Sequence, residues 1–578
     1  MKAPRLSSSV ALIAVTSAAG AAPAPPAFVR TQDSDAWVRA TFRLQERYAR
    51  VLLVRGRGEA PQRVSVAALE LNTGRPTGAR EYRVDSVFDT LQAAADAARG
   101  GDLVAVMPGS HAGFVLADRE DAGDGRYVHF KALGGPGQVV IDRPPEREPD
   151  WMILLRAAHH VVIEGFNIAG ATGPGLEPKG PLAGIMIDGD FGRSGTNAHH
   201  VAVVGNFSHN HRKWGLHSTD THTVLIQDNL FALSCLEHSA YVSDGSDNYV
   251  IRRNVFYGSR SAGLQCNIDP QSSLAELLKH PALAPHRPHR PTREWAMALL
   301  EHAREAFGEH NFPDGRGVNF IIEDNVINGN GRGGGGALNL AGLQESLIQN
   351  NLIYGNFNHG IALWDNGNPY DAPRVIPGPR DPREVTGPDA LPFWGCRSNG
   401  VRNNTVLMAN PRRAALILVN GSWGNRVRNN VLINDEPSSL EVSGSSIYGL
   451  DSSHNVLNEA HYVGVSIHSV VEEWPYHGAT EMAPALASLA VHLDDEPRSA
   501  LGVTRARSAP DFVRYGEEAW VLIEGDWWRV NPQRPDFRPR IDSKLLHGRG
   551  DPTDMPVRDL AGEPRRGADV GALGAAGR

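Results

Sequence analysis

The sequence VLIQDN at residues 224–229 recurs 25 residues later as YVIRRN at residues 249–254. Each stretch is a short run of β-branched and apolar residues that ends in asparagine and is followed by two mostly apolar residues. The same pattern ends at eight asparagines, separated by 23, 25, 71, 26, 53, 26 and 25 residues: Asn206, Asn229, Asn254, Asn325, Asn351, Asn404, Asn430 and Asn455. A period in the mid-twenties without a helical repeat predicts a solenoid, whose turns bury their apolar faces by stacking. The two long separations fit one period plus an inserted loop, or two periods plus a few residues.

A second set of strands follows bends that contain Gly or another small residue. These strands are GIMID from Gly184, GLHST from Gly215, SAYVS from Ser239, GLQCN from Gly263 and GIALW from Gly360. A leucine-rich repeat has a similar period, but its leucine consensus and its helix in each turn are not visible. Asparagines stacked at one bend can hydrogen-bond along the stack. The pattern therefore predicts an all-β chain, folded as a parallel β-helix.

Two further segments carry a resemblance to a known family. FDTLQAAADAARGGDLVAVMPGSH at residues 88–111 resembles the first turn of the pectin-lyase-like right-handed parallel β-helix proteins, in which a short amphipathic helix caps the coil. PDFRPRIDSKLLHGRG at residues 535–550 and ADVGALG around Gly571 are similar to the closing segments of that family. The resemblance implies a right-handed coil and a secreted, polysaccharide-active protein. Fold alone does not determine the activity.

Composition narrows the class of protein. The chain has 578 residues, 41% hydrophobic content and 61 glycines, which suits a long, turn-rich β protein. A net charge of −8 gives no basic field that would recruit nucleic acid. Residues 1–24 have basic, apolar and small-residue regions in the order of a secretory signal peptide, so we expect a secreted or periplasmic protein. No other stretch predicts a membrane span.

The repeat also predicts the division of the chain. Residues 30–80 are expected to form a small N-terminal β-rich cap, and residues 81–465 the parallel β-helix. Residues 270–317 and 367–396 interrupt the period and are expected to form insertions that wall one side of the coil. Residues 466–578 are expected to form a C-terminal appendage and the closing segment.

Alignment of the second strands at their small first residue predicts two columns of outward side chains. The first column is Met186, His217, Tyr241, Gln265 and Ala362, and the second is Asp188, Thr219, Ser243, Asn267 and Trp364. Neighbouring strands lie about 4.8 Å apart, so His217 and Tyr241 are expected to be in contact. Acidic turn residues follow the same strands: Asp190, Asp220, Asp244, Asp247, Asp269 and Asp365.

A groove of imidazole, phenol, amide and indole groups suits a polysaccharide, which needs many hydrogen bonds and an aromatic platform. For a uronic-acid polymer we expect β-elimination, with His217 as the base and Tyr241 as the acid. Lys213 or Arg212 would face the substrate carboxylate. The remaining expected catalytic residues are Asp244 and Asp269, and the expected substrate-binding residues are Arg212, His238, Gln265, Asn267, Trp364 and Asp220.

Three alternatives stay open from the sequence. Asp220, Asp244 and Asp269 on successive turns could supply the two carboxylates of a glycoside hydrolase. A Ca²⁺ ion held by Asp188 and Asp190, with Asp220 and Asp244, would fit oxygen-rich ligation and would assist the lyase chemistry that the resemblance implies. The third alternative is a carbohydrate-binding solenoid without catalysis.

Overall fold

The computed structural model describes residues 34–457, except 57, 73–75, 118–124, 172–178, 309–311, 372–391, 409–412, 435–438, 443–445 and 447–449. Beyond 457 it describes 463–464, 500–501, 512–514, 536–539, 548, 550–565 and 567–574. The expected signal peptide, most of the 367–396 insertion and most of the expected C-terminal appendage lie outside these residues.

Three long sheets of parallel strands run the length of the molecule and confirm the predicted parallel β-helix. The first sheet contains Val51–Val54, Ser86–Phe88, Leu103–Val106, Val128–Ala132, His159–Glu164, Ala198–Val204, Thr221–Gln227, Asp247–Arg252, Phe320–Glu323, Leu347–Gln349, Gly400–Arg402, Arg426–Arg428 and Asp451–Ser453. The second contains Phe114–Ala117, Trp151–Arg156, Ala183–Asp188, Trp214–Thr219, Ala240–Ser243, Leu264–Asn267, Gly336–Ala341, His359–Trp364, Leu416–Leu418, Leu440–Val442 and Val463–Gly464. The third contains Gly109–Ala112, Val139–Arg143, Asn167–Ala169, Phe207–His209, Leu230–Ala232, Val255–Tyr257, Val326–Asn328, Leu352–Tyr354, Thr405–Met408, Val431–Asn434, Val456–Leu457 and Ala500–Leu501.

Each coil has three strands, whereas the sequence predicted two. In the coil that begins at Thr221, the chain runs through the first sheet, turns at Asn229, forms Leu230–Ala232 in the third sheet and then Ala240–Ser243 in the second. The apolar residues that follow each asparagine are therefore the short third-sheet strand. Three residues are too few to show a period-two alternation in the sequence.

The eight asparagines form a buried ladder of hydrogen bonds. The backbone N–H and the Nδ2 of Asn229 both donate to Oδ1 of Asn254, at 3.0 Å each. Asn254 makes the same two bonds to Asn325, and Asn351 makes them to Asn404. These pairs span the two long separations, so each separation is one period plus an inserted loop.

Apolar side chains fill the interior of the coil. Val224, Leu216, Phe231, Val242 and Cys266 belong to one continuous core cluster and are fully buried. The alternation along each strand aims one set of residues inward and the other outward. This alternation places His217 and Tyr241 on the outside of the second sheet.

The N-terminal segment, which was expected to be a small β-rich cap, combines strands with one helix. It contains the helix Ser34–Thr41 and an antiparallel pair of Arg63–Leu69 with Pro76–Arg83. The helix packs on the outer face of the first sheet, where Trp37 and Val38 share a buried cluster with Leu225. Arg252 in that sheet is buried and donates to Ser34 Oγ at 2.8 Å and to Asp35 Oδ1 at 2.7 Å. In addition, Val51–Val54 is a strand of the first sheet itself.

Short helices cap and flank the coil. Leu91–Ala97, capped by Thr90, lies at the first turn as the resemblance implied. The 270–317 insertion forms the helices Pro270–Leu277 and Arg293–Phe307 with the 3₁₀ turn Ala284–His286. These helices pack with the short helix Phe191–Ser194, which follows a second-sheet strand.

Part of the closing segment packs against the first and third sheets of the coil. Val570 is buried beside Val431, and Arg402 pairs with Asp554 at 2.6 Å. The remaining described pair, Phe512–Arg514 with Asp536–Pro539, is antiparallel, and Gly317–Val318 pairs in parallel with Leu343–Gln344. Among the described helices, none has the length and hydropathy needed to cross a membrane.

Candidate functional site

The first predicted column is present on the outer face of the second sheet. Met186, His217, Tyr241 and Gln265 are direct neighbours on four successive strands. The next neighbour is Asn339, and Ala362 follows it. The sequence alignment missed Asn339. The signal was present in the small-residue run GGGGALNLA at residues 333–341, which has the same bend-and-strand form.

The second predicted column is also present. Asp188, Thr219, Ser243 and Asn267 are neighbours on successive strands. The missed strand contributes Ala341 between Asn267 and Trp364.

His217 and Tyr241 form a tight aromatic stack. Their ring centroids lie 4.7 Å apart with an interplanar angle of 7°. Trp214, at the start of the His217 strand, packs 4.5 Å from the imidazole and 5.7 Å from the phenol ring. Both His217 and Tyr241 are half-buried, so they remain reachable from solvent. The three rings form one aromatic platform on the outer face of the second sheet, and this face, from Met186 to Trp364, is called the groove face.

The hydrogen bonds of His217 assign its tautomer. Ser243 Oγ donates to Asp244 Oδ2 at 3.0 Å and lies 3.2 Å from His217 Nε2. Because that hydroxyl has only one hydrogen, Nε2 is assigned as the donor to Ser243. The basic lone pair is then on Nδ1, which is buried and has no hydrogen-bond partner among the described residues.

Burial controls the protonation of the pair. It lowers the pKa of His217 to about 3, with smaller contributions from His238 and Lys213. Burial likewise raises the pKa of Tyr241 above its ordinary value of 10, and the nearby carboxylate of Asp244 adds to this. At neutral pH the structure therefore holds a neutral imidazole beside a protonated phenol.

The expected carboxylate-binding cation already has an acidic partner. Lys213 Nζ lies 2.9 Å from Glu237 Oε1 and 4.8 Å from the centroid of the Trp214 ring. Trp214 Nε1 also donates to Glu237, at 3.0 Å. Glu237 was not among the sequence candidates, and its contacts hold Lys213 beside the platform. The neighbouring Arg212 keeps a buried Nε that has no partner among the described residues.

His238 lies on the other side of the phenol ring, with centroids 5.4 Å apart. Its Nδ1 accepts the backbone N–H of Ala262 at 3.1 Å, so the ring is neutral with its hydrogen on Nε2. Burial lowers the pKa of His238 to about 4, against the opposing effect of Glu237. Its Nε2 lies 3.9 Å from Glu237 Oε2.

An amide chain continues the groove beyond Tyr241. Trp364 Nε1 donates to Asn339 Oδ1 at 2.9 Å, and Asn339 Nδ2 donates to Gln265 Oε1 at 2.6 Å. Asn366 Nδ2 donates to Asn267 Oδ1 at 2.8 Å. These hydrogen bonds orient the amide groups of Gln265, Asn339 and Asn267. Trp364 supplies a second aromatic face about four strands from His217.

The acidic turn residues that follow the second-sheet strands are only partly available for chemistry. Asp244 Oδ2 accepts from Thr219 at 2.7 Å, and Asp220 Oδ1 accepts the backbone N–H of Gly245 at 3.0 Å. Burial and mutual repulsion raise the pKa of Asp220, and burial also raises that of Asp244. Asp269 caps the helix Pro270–Leu277 by accepting the N–H of Gln271 at 2.9 Å. The insertion therefore begins at the edge of the groove.

Asp188 and Asp190 do not form a calcium cradle. Asp188 Oδ2 lies 3.4 Å from Arg156 Nε, and Asp190 Oδ2 lies 2.6 Å from Arg193 Nε. Within the described part of the chain, no group of three or more His, Cys, Asp or Glu side chains is arranged as metal ligands. These residues do not fit the expected Ca²⁺ site, because each carboxylate is neutralised by an arginine.

Comparison with solved structures finds other parallel β-helices. The chain is similar to pectate lyase Pel9A, with 13% identity over 93% of this chain and 98% of that one and a TM-score of 0.46. It is also similar to an alginate lyase from Paenibacillus sp. str. FPU-7, with 13% identity over 63% and 92% and a TM-score of 0.33. PfbA, a surface adhesin of Streptococcus pneumoniae, matches at 13% identity over 64% and 80%, with a TM-score of 0.40.

No protein-family model matches the sequence, and the comparison with curated proteins gives no match. The resemblance to the pectin-lyase-like parallel β-helix proteins is confirmed as an architecture, by the three parallel sheets of the chain itself. At such low identity the likeness concerns the fold alone, and two of these neighbours are enzymes while one is an adhesin. Any activity has to be argued from the groove.

Proposed function

We propose that the chain is a polysaccharide lyase that cleaves a uronic-acid-containing glycan by β-elimination at His217 and Tyr241. The observation that carries the proposal is the stacked, half-buried pair of a neutral imidazole and a protonated phenol on a groove with two aromatic platforms. Elimination needs a base for the proton at C5 and an acid for the leaving oxygen, and neighbouring groups on one strand face can supply both. The proposal includes secretion, as the leader sequence predicts.

The chemistry assigns one proton transfer to each ring. His217 takes the proton from C5 of the uronic acid, and the electron pair of that bond forms the C4–C5 double bond. The C4–oxygen bond breaks, and Tyr241 gives its proton to the leaving oxygen. Because Nδ1 is buried in the free protein, the imidazole must turn toward the substrate on binding, as catalytic geometry often tightens only in the complex.

The substrate carboxylate would be held between the cations at the start of the His217 strand. Lys213 is the nearer candidate, and Glu237 must release or share it when the carboxylate arrives. Arg212, the residue before Lys213, is the second candidate, although its Nε is buried in the free protein. Gln265, Asn267 and Asn339 would bind sugar hydroxyls, with Trp364 under a neighbouring residue of the polymer.

A glycoside hydrolase is the second candidate, favoured by the raised pKa values of Asp220 and Asp244 on adjacent turns. A protonated carboxyl beside an ionised one is the pairing that hydrolysis uses. Against it, both side chains are engaged by backbone or hydroxyl donors, and Asp220 is only 8% exposed. A carbohydrate-binding solenoid without catalysis remains the third candidate.

A panel of uronate and neutral polysaccharides separates the three candidates. New ultraviolet absorbance from a C4–C5 double bond identifies elimination, reducing ends without that absorbance identify hydrolysis, and retention without products identifies binding. Either of the last two results overturns the lyase proposal. Because Asp188 and Asp190 pair with arginines, we expect a chelator to leave the elimination rate unchanged.

A further inference from the structure

A second cluster of histidines lies away from the groove, where strands of the first sheet begin. His159, His199 and His222 are neighbours on three successive strands. Their rings stack with centroids 4.9 and 5.0 Å apart. His160 and His200 form a parallel second stack, with centroids 4.7 Å apart. All five rings are half-buried, and none of them belongs to the proposed catalytic face.

The two stacks meet through vicinal pairs. His159 Nδ1 lies 3.2 Å from His160 Nδ1, and His199 Nδ1 lies 2.8 Å from His200 Nδ1. Consecutive residues of a regular strand point to opposite faces. Here His160 and His200 have φ values of 55° and 53°. This left-handed bend brings the two Nδ1 atoms of each pair close together.

The bend belongs to a column of residues with the same backbone conformation. Thr223, Asn248 and Asn319 occupy the equivalent position on the next strands, with φ values of 59°, 58° and 61°. Asparagine adopts this conformation more readily than most side chains do. Histidine is also among the residues enriched in this conformation, so the bend accommodates His160 and His200 and brings each ring beside that of its neighbour.

The pair distances match those of cis ligands on a transition metal. With metal–nitrogen bonds of about 2.05 Å, nitrogens 3.2 Å apart subtend about 103° and nitrogens 2.8 Å apart subtend about 86°. These angles lie near the tetrahedral and the tetragonal values. Neutral imidazole suits Zn²⁺, Ni²⁺ and Cu²⁺, and Cu²⁺ binds most tightly of the three.

We propose that the cluster binds one late transition-metal dication at one of its two histidine pairs, His159–His160 or His199–His200. Cu²⁺ should bind more tightly than Zn²⁺. In each pair one ring now donates its Nδ1–H to the other. On metal binding that hydrogen moves to Nε2, so that both Nδ1 lone pairs face the ion and no net proton is lost. Among the described residues, no three His, Cys, Asp or Glu side chains are arranged around one metal position, so a single pair would hold the ion and water would fill the remaining positions.

One dication is expected per cluster. The two pairs are stacked about one strand apart, so a second dication would be repelled by the first. The site is distinct from the proposed lyase groove, so its failure would leave that proposal untouched.

The test is a Cu²⁺ titration of the full chain, with glycine as a competing chelator, read by calorimetry and by electron paramagnetic resonance. The variant is H160N/H200N, because Asn248 and Asn319 already occupy the same backbone position. The matched control is H222Q, which shortens the stack but keeps both pairs. Circular dichroism checks that each variant is folded.

We expect the wild type to bind one Cu²⁺ with two equatorial nitrogens, and Zn²⁺ more weakly. H160N/H200N should lose at least tenfold in affinity, and H222Q should stay within about twofold. The proposal is overturned if the double variant binds Cu²⁺ as the wild type does, because the ion would then lie on other histidines. It is also overturned if the folded wild type binds no Cu²⁺ in the presence of glycine.

Discussion

Removal of one rung of the asparagine ladder, by Asn254→Ala, should destabilise the middle coils far more than an ordinary turn substitution. Asn254 Oδ1 accepts from the backbone N–H and the Nδ2 of Asn229. Its own Nδ2 donates to Ile226 O at 2.9 Å and to Asn325 Oδ1 at 3.1 Å. The substitution therefore deletes four hydrogen bonds at a site that is 1% exposed.

The expected loss in the free energy of unfolding follows from the buried groups that lose a hydrogen-bond partner. A buried donor without an acceptor costs about 1–3 kcal/mol, and each further lost bond costs about 1 kcal/mol. The backbone N–H of Asn229 is such a donor. Since neighbouring bonds are not additive, we expect a loss of about 4 kcal/mol in the free energy of unfolding.

The assay is equilibrium denaturation followed by circular dichroism, together with amide hydrogen exchange across residues 224–257. Asn366→Ala is the matched control, because it removes two bonds from a half-buried asparagine in a loop and should cost about 1 kcal/mol. A cost below about 1 kcal/mol for Asn254→Ala, with unchanged exchange, would refute the ladder as a stabilising element.

Four further outcomes are expected. The kcat/KM of the proposed elimination should fall with decreasing pH only well below pH 6.5, because the pKa of His217 is lowered to about 3. A fall of kcat/KM centred near pH 6.5 would contradict the role of His217 as the base. The buried rings of His211 and His359 have pKa values lowered from 6.5 to about 3, so the unfolded chain binds protons that the folded chain does not. The free energy of unfolding, measured in urea, should therefore be highest above pH 6.5 and should fall as the pH drops toward 3. The fall should be up to about 1.4 kcal/mol per pH unit for each ring. A urea midpoint that does not change with pH would contradict the burial of these rings. Asp220→Asn should raise the unfolding midpoint at pH 8, because the raised pKa of Asp220 means that its ionised form is destabilising there, and elimination activity should persist; loss of elimination in the folded variant would contradict the assignment of the proton transfers to His217 and Tyr241 alone. Arg252→Met should cost about 2–3 kcal/mol, since Ser34, Asp35, Gln227 and Leu71 lose a buried donor, and limited proteolysis between residues 34 and 50 should accelerate; unchanged cleavage would contradict its anchoring role.

The sequence was enough to predict the coil and the register of its outer face. The asparagine spacing gave the period, because a ladder requires the same residue at the same bend of every turn. The small residue before each second strand then aligned His217 with Tyr241 and Gln265, as the structure has them. The strand with Asn339 was missed because its run of glycines hides the first residue.

Other features of the site depend on contacts between distant segments. The salt bridge of Lys213 with Glu237 joins equivalent positions of two successive coils, each three residues before a paired strand residue, so the register of the second sheet could have revealed it. The capping role of Asp269 depends on the helix that begins after it, and an Asp in a turn does not reveal which backbone group it will meet. The packing of residues 34–42 on the first sheet includes the bonds of Arg252 to Ser34 and Asp35, which lie 218 and 217 residues away in the chain.

The most direct test of the proposed activity compares the folded wild type with His217→Ala and Tyr241→Phe on the uronate polysaccharide that gives the strongest ultraviolet signal. His222→Gln and Tyr257→Phe are matched controls, because these half-buried residues lie on the first and third sheets, away from the groove. We predict that each groove variant loses at least a hundredfold in the rate of C4–C5 double-bond formation, in line with acid–base catalysis worth about 10² to 10⁴, while both controls keep the wild-type rate. Full elimination activity in His217→Ala and Tyr241→Phe would contradict the assignment of the reaction to this pair.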